Sequence, residues 1–159
     1  MSQLVGAETR PVFAVPALAD GAYADGRALA PAIHVPLDET QTPDRKYGGY
    51  IVQVMAKDLA AIGATIELLF LSADPTGTVI AANTAIEWDA DDAAAIIGKA
   101  TLDDWTDAGD IKTAQLASSV IAFPGNAFWV VGIVRGTPQW AAAGAAGKLL
   151  LSFGLTLNG

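Results

Sequence analysis

This sequence predicts an all-β fold: an antiparallel β-sandwich of the jelly-roll kind, with one short helix and an extended, proline-rich N-terminal arm. Three observations carry that expectation. Apolar and polar residues alternate with period two in short segments bounded by turn residues, the mark of half-buried strands. The cleanest alternation is Lys148–Asn158, where Leu149, Leu151, Phe153, Leu155 and Leu157 share one face and Lys148, Ser152, Thr156 and Asn158 the other, with Leu150 as the exception. Five of the eight prolines fall in the first 43 residues, and proline removes a backbone donor and keeps the preceding residue out of the helical region.

Residues 1–45 are read as the arm and residues 46–159 as the sandwich domain. The arm contains Pro11, Pro16, Pro31, Pro36 and Pro43, yet apolar residues recur in it at Val12-Phe13-Ala14-Val15 and Ile33-His34-Val35. It therefore lies on something, either its own domain or a neighbour. Ile51–Ala56 is a strand, with Val52, Val54 and Ala56 opposite Ile51, Gln53 and Met55. Ala64–Leu71 is a second, with Ile66, Leu68 and Phe70 opposite Thr65, Glu67, Leu69 and Leu71, closed by the turn Ser72-Ala-Asp-Pro-Thr-Gly77. Thr84–Trp88 reads as a short strand. Asp89–Gly98 reads as a short helix, with aspartates around its start to accept orphan N–H groups and Gly98 as its stop. Lys99–Leu102 is a further short strand. Ala114–Phe123 and Ala127–Arg135 are two more, joined by Pro124-Gly-Asn126. The second is apolar on both faces, so it is buried on both sides, or on one side plus an interface. Ala141–Gly147 is a low-complexity loop.

At 159 residues the chain is one domain long, enough to bury about 70% of its unfolded surface. Hydrophobic residues make up 52% and charged residues 16%, against about 25% charged in ordinary soluble domains. Part of the surface is therefore neutral and alanine-rich, or covered by a partner. Nine Lys and Arg against 17 Asp and Glu give a net charge of −8. That balance argues against nucleic acid and against anionic membrane surfaces, both of which require clustered bases. The longest strongly apolar run, Ala127–Val134, has eight residues, far short of the roughly 20 of a spanning helix. Met1–Glu8 lacks the basic start and apolar stretch of a signal peptide. With no cysteine, thiol chemistry and cysteine-based metal sites are excluded.

No motif specifies an enzyme, a metal or a cofactor. His34, the single histidine, would have to serve any Ser-His-Asp arrangement, but between Ile33 and Val35 it reads as a surface or partly buried side chain. Asp89, Asp91 and Asp92 resemble a calcium loop only superficially. An EF-hand wants Gly at its sixth position and Glu at its twelfth, and those positions hold Ala94 and Ala100. Asp103, Asp104, Asp107 and Asp110, with Trp105 among them, form either a hard-cation site or a solvated acidic loop. Gly136-Thr-Pro-Gln-Trp140 closes an apolar strand and is a candidate subunit contact. Gly48-Gly49 lacks the context of a phosphate-binding loop.

Between Tyr50 and Asp104, four stretches follow in order: Leu68-Leu-Phe-Leu-Ser-Ala-Asp-Pro-Thr76, Ala82-Asn-Thr-Ala-Ile86, Asp89-Ala-Asp-Asp92 and Ile96-Ile-Gly98. In this the chain resembles small structural proteins of tailed bacteriophages. The resemblance implies a β-sandwich in the virion, in some cases as capsid decoration or cement. The expected function is then a decoration protein on the capsid exterior, assembled in the host bacterial cytoplasm. Its expected partners are the major capsid protein and itself, as a homotrimer, with no enzymatic activity. Arg10, Phe13, Val15 and Tyr23 are the expected arm contacts and Trp140 the expected subunit contact. The alternative is a carbohydrate-binding or adhesin module of a phage tail, with Trp105 and Trp140 as stacking platforms.

Overall fold

The computed structural model describes residues 9–37, 48–116, 120–140, 145 and 147–157, with Thr9 and Arg10 by backbone alone. Among these residues, ten strands and one short helix build two antiparallel sheets packed face to face. In chain order they are β1 (Thr9–Ala14), β2 (Ile33–Pro36), β3 (Gly49–Asp58), β4 (Ile66–Leu71), α1 (Ala90–Ala94), β5 (Ile96–Leu102), β6 (Trp105–Asp107), β7 (Lys112–Leu116), β8 (Ile121–Phe123), β9 (Ala127–Val134) and β10 (Leu149–Leu157). The first sheet runs β1-β10-β3-β7-β6, with β8 also paired to β3. The second runs β2-β9-β4-β5. The all-β sandwich expected from the alternation is the fold observed.

One apolar core joins the sheets. At its centre Phe153 of β10 meets Phe70 of β4 and Phe128 of β9 nearly edge-on, with ring centroids 5.7 Å apart in both cases. Edge-to-face contact sets the positive ring rim against the negative face and adds roughly 0.5–1.5 kcal/mol per pair beyond area burial. These three side chains are fully buried and fasten one sheet to the other.

The expected arm does not stand apart. β1 pairs along its whole length with β10, from Thr9 opposite Thr156 to Ala14 opposite Leu151. β2 pairs with β9, and Leu18, Tyr23, Leu29 and Ala30 are core residues. Over residues 9–37 the proline-rich segment is thus part of the sandwich, and of the two surfaces open to it in the sequence it lies on its own domain. Pro11, Pro16, Pro31 and Pro36 fall beside or within edge strands, where a missing N–H is tolerated; Pro43 lies outside the described residues. The expected boundary at residue 45 lies outside the described residues.

Three expected elements are corrected by irregularities that period-two reading cannot carry. In β3, Ile51 is buried together with Val54 and Ala56, on the core face rather than opposite them. The register against β10 shifts between Gly154 and Leu155, which leaves Val52 unpaired, and a bulge of this kind reverses the alternation beyond it. The expected strand Ala114–Phe123 is two strands, β7 on the Val54–Asp58 half of β3 and β8 on its Gly49–Ile51 half. Ala114, Ile121 and Phe123 all face the core, and an even and an odd position share a face only if the strand is interrupted. Thr84–Trp88 is a loop: the Thr84 hydroxyl donates to the Ala81 carbonyl at 2.6 Å, and Asn83 takes a positive φ of 57°. The local Thr84 bond competes with strand pairing, and the Asn83 side chain instead accepts from the Ala24 N–H and donates to the Ala22 carbonyl.

The helix begins where the aspartates place it and ends earlier than expected. The Asp89 side chain caps it by accepting from the Asp91 N–H, and the Thr78 hydroxyl donates to the buried Asp92 carboxylate at 2.7 Å. The helix stops after Ala94, because Ile96 and Gly98 pair with Leu71 and Phe70. Gly98 is not a helix stop. A Cβ at that position would lie 2.8 Å from Ile121 Cγ2, so glycine lets β5 and β8 close the sandwich edge.

Candidate interaction surface

The register places three rows of residues on the outer face of the first sheet: Pro11–Gly154–Gln53, Phe13–Ser152–Met55–Gln115 and Leu150–Lys57–Thr113. Residues paired across a ladder share a face, so each row runs over the sheet from β1 toward β7. Ser152 is small and sits between two long neighbours, Phe13 on one strand and Met55 on the other. Together with Leu150 and Lys57 they bound a groove of about 190 Å3. Phe13 forms one wall and is 76% exposed. Val15, just beyond β1, is also exposed. An uncovered phenyl ring beside a thioether and a leucine is an apolar patch of the kind that marks interaction sites. Along these rows Lys57 is the one charged residue, and it is exposed.

The structure distributes the five expected contact residues unequally. Phe13 and Val15 are on the surface, Phe13 in the groove wall. Arg10 lies in β1 with its backbone opposite Leu155. Tyr23 and Trp140 are not surface residues. Both are buried, in edge-on contact with centroids 5.3 Å apart. The Tyr23 hydroxyl donates to the Leu29 carbonyl at 2.6 Å and accepts from the Ala19 N–H at 2.9 Å. Burial pushes the Tyr23 phenol above the ordinary tyrosine pKa, and the Ala19 bond only partly offsets this. The pair closes one end of the core, so the expected arm contact at Tyr23 and subunit contact at Trp140 are both replaced by contacts within the chain.

Met55, Lys57, Leu150 and Ser152 complete the groove and were not expected to contribute. One signal was present: Leu150 breaks the polar face of an otherwise alternating strand, and it does so because that face is not wholly solvated.

The other candidates resolve into structural roles. Trp105 is half-buried and donates its Nε1–H to the Ala64 carbonyl at 2.9 Å. It anchors β6, a strand not expected from the sequence, whose Asp107 lies 3.7 Å from Lys112 across the hairpin. Both tryptophans offered as stacking platforms are therefore engaged with their own chain. The four aspartates of this region do not converge: among the described residues no three His, Asp or Glu side chains group closely enough to hold a metal ion. His34 is exposed and stacks on Trp129, with centroids 4.9 Å apart.

Asp58 is the most completely enclosed acid among the described residues, at 0% exposure. Its carboxylate accepts the N–H groups of Ala60, Ile62 and Gly63, each at 2.9 Å. Converging N–H dipoles of this kind stabilise a buried negative charge. Asp58 thereby fixes the turn from β3 to β4, next to Lys57 at the groove.

No helix among the described residues is long and apolar enough to cross a membrane. No family model, curated protein or solved structure matches the chain, so its function has to be read from its own surface.

Proposed function

We propose that this protein is a bacteriophage virion component, a capsid decoration protein that acts as a homotrimer on the capsid exterior. It binds the major capsid protein and reinforces the shell through symmetric contacts. The observation that carries this reading is the apolar groove of Phe13, Met55, Leu150 and Ser152 on an otherwise acidic, charge-poor chain. A face of this composition is suited to a protein partner rather than to nucleic acid, which would require clustered bases. The strand order supports the same reading by analogy of fold. With β7 and β8 counted as one interrupted strand and β6 set aside, one sheet takes strands one, eight, three and six and the other two, seven, four and five. We read that order as the weave of a jelly roll, an architecture recurrent in viral capsid and lectin domains. The adhesin alternative shares the fold, but of its two tryptophan platforms Trp140 is buried and Trp105 half-buried.

The test is the copy number of the protein in purified phage particles, by quantitative mass spectrometry against the major capsid protein. Lattice symmetry sets the expected ratio, on the order of one per shell subunit or one per three. A handful of copies per particle would move the protein to the tail and favour the adhesin reading. Absence from particles would refute a virion role.

A further inference from the structure

The groove has a size and an electrostatic sign, and together they describe an occupant. Its volume is about 190 Å3, and a cavity near 150 Å3 holds a benzene molecule. It therefore has room for one large side chain. Its lining is Phe13, Met55, Leu150, Leu151, the small Ser152 and Lys57. Met55 brings an unbranched, polarizable side chain that adapts to the shape of what it meets. The face carries Lys57 and no carboxylate along its paired rows, while the chain as a whole has 17 acids against nine bases. A second copy docked through the same rows would bring Lys57 and no carboxylate. A partner that brings a carboxylate beside its apolar anchor satisfies both features at once.

We infer that the groove is a pocket for a single aromatic or leucyl side chain presented by an acidic segment of a partner protein, with the partner's carboxylate paired to Lys57. This rests on reading the outer face of the first sheet as the docking face, and it adds the chemistry of what docks there. The anchor fills the space over Ser152 between Phe13 and Met55, covering the exposed Phe13 ring. The carboxylate at the rim sets orientation and the rate of encounter more than affinity. An apolar anchor in a pocket with a polar rim is the usual form of an interface hot spot.

The chain contains two methionines, Met1 and Met55, so a methyl-labelled methionine sample gives two signals and Met55→Leu assigns them. Three capped tripeptides are titrated into the full chain at low salt: Asp-Phe-Asp, Asp-Ala-Asp and Lys-Phe-Lys. The expected result is a saturable shift of the Met55 methyl with Asp-Phe-Asp at a Kd on the order of 1 mM. Asp-Ala-Asp should produce no such shift, and Lys-Phe-Lys should bind at least about threefold more weakly, as an exposed charge pair allows. Lys57→Glu should invert the preference between the two phenylalanine peptides. Because Lys57 is exposed, this variant should keep its melting temperature, which is measured alongside. Three results would overturn the inference: no saturable shift up to about 10 mM peptide, equal binding of the acidic and basic peptides, or a Met55 shift that follows protein concentration together with a rising sedimentation mass. The last would assign the groove to a second copy. Peptide binding by a protein absent from phage particles would keep the pocket and remove the shell. A decoration protein blind to all three peptides would do the reverse.

Discussion

Asp58 offers the sharpest test of how this fold is held. Its carboxylate satisfies three backbone N–H groups of one turn, and no solvent reaches it. Asp58→Ala removes all three acceptors together. A hydrogen bond to a charged group contributes about 1.5–3 kcal/mol, but the three do not add fully. Leu59 and Ile62 of the same turn are exposed, so water enters once the turn opens. The expected loss is about 3–5 kcal/mol, a shift of roughly 10 °C in Tm for a domain of this length. Asp58→Asn separates charge from geometry. An amide oxygen in the place of Oδ2 still accepts from Ile62 and Gly63, while the NH2 group turns toward the Ala60 N–H and leaves it unpaired. One buried unpaired donor costs about 1–3 kcal/mol, so the Asn variant should lie between the wild type and the Ala variant. Thermal unfolding followed by circular dichroism measures both, and amide hydrogen exchange at Ile62 and Gly63 should accelerate in each. An Asp58→Ala protein melting within about 2 °C of wild type would refute the assignment of the turn to this side chain.

Other substitutions probe other parts of the molecule. Phe153→Ala empties the contact between the sheets and should cost about 3–5 kcal/mol, measured by urea denaturation; a loss under about 1 kcal/mol would mean that the ring cluster does not join them. Gly98→Ala drives a methyl into Cγ2, Cγ1 and Cδ1 of Ile121 and should cost about 1–3 kcal/mol; Ile121→Ala removes all three of those atoms, so the losses of the two single variants should not add in the double variant. For Tyr23 the folded pKa is raised by burial. The stability tied to its protonated form is therefore complete below the ordinary tyrosine pKa of about 10 and is lost as pH rises through the higher folded value. Tm should fall above about pH 10, and Tyr23→Phe should flatten that fall while lowering Tm at neutral pH through the lost Ala19 and Leu29 bonds. Millimolar calcium should leave Tm unchanged, since the Asp103–Asp110 carboxylates do not converge; a calcium-dependent rise abolished by Asp107→Asn would restore a cation site there.

Much of the sandwich was legible where a strand is regular and half-buried. Leu149–Leu157 places its alternate residues as read, and β9 buries Phe128, Val130 and Val134 on one face, while on the other Val131 is buried and Trp129 and Ile133 are partly exposed. The aspartates at Asp89 cap a helix for the reason their type and position imply. What was hidden has local physical causes. The bulge at Val52 and the break between β7 and β8 each reverse a face, and no pattern inside either strand announces them. β5 begins at Ile96 because Phe70 and Leu71 are there to pair with, a tertiary contact that outweighs local helix signals. The first strands looked like an arm because prolines mark edge strands and loops alike. The groove was half-readable: Phe13 and Val15 stand out as apolar residues in a proline-rich stretch. Met55, Ser152 and Lys57 become neighbours only through the ladder from β1 to β3 across β10.

That ladder also orders events in time. β10 follows the other described elements in chain order, yet it lies between β1 and β3, and among the described residues β1 has no other ladder partner in its sheet. During synthesis β1 emerges before β3 and β10 and waits for all the elements between them before it can pair. Contacts this distant in sequence slow folding, because a long loop must close before any of them contributes. Meanwhile Phe13 and the bare edge of β3 are exposed to whatever else is nearby. A ribosome that stops before β10 therefore releases a chain with an unfinished sheet and an open strand edge, not a smaller sandwich. Chaperone capture of nascent chains should persist until β10 has been made and fall once it pairs with β1 and β3.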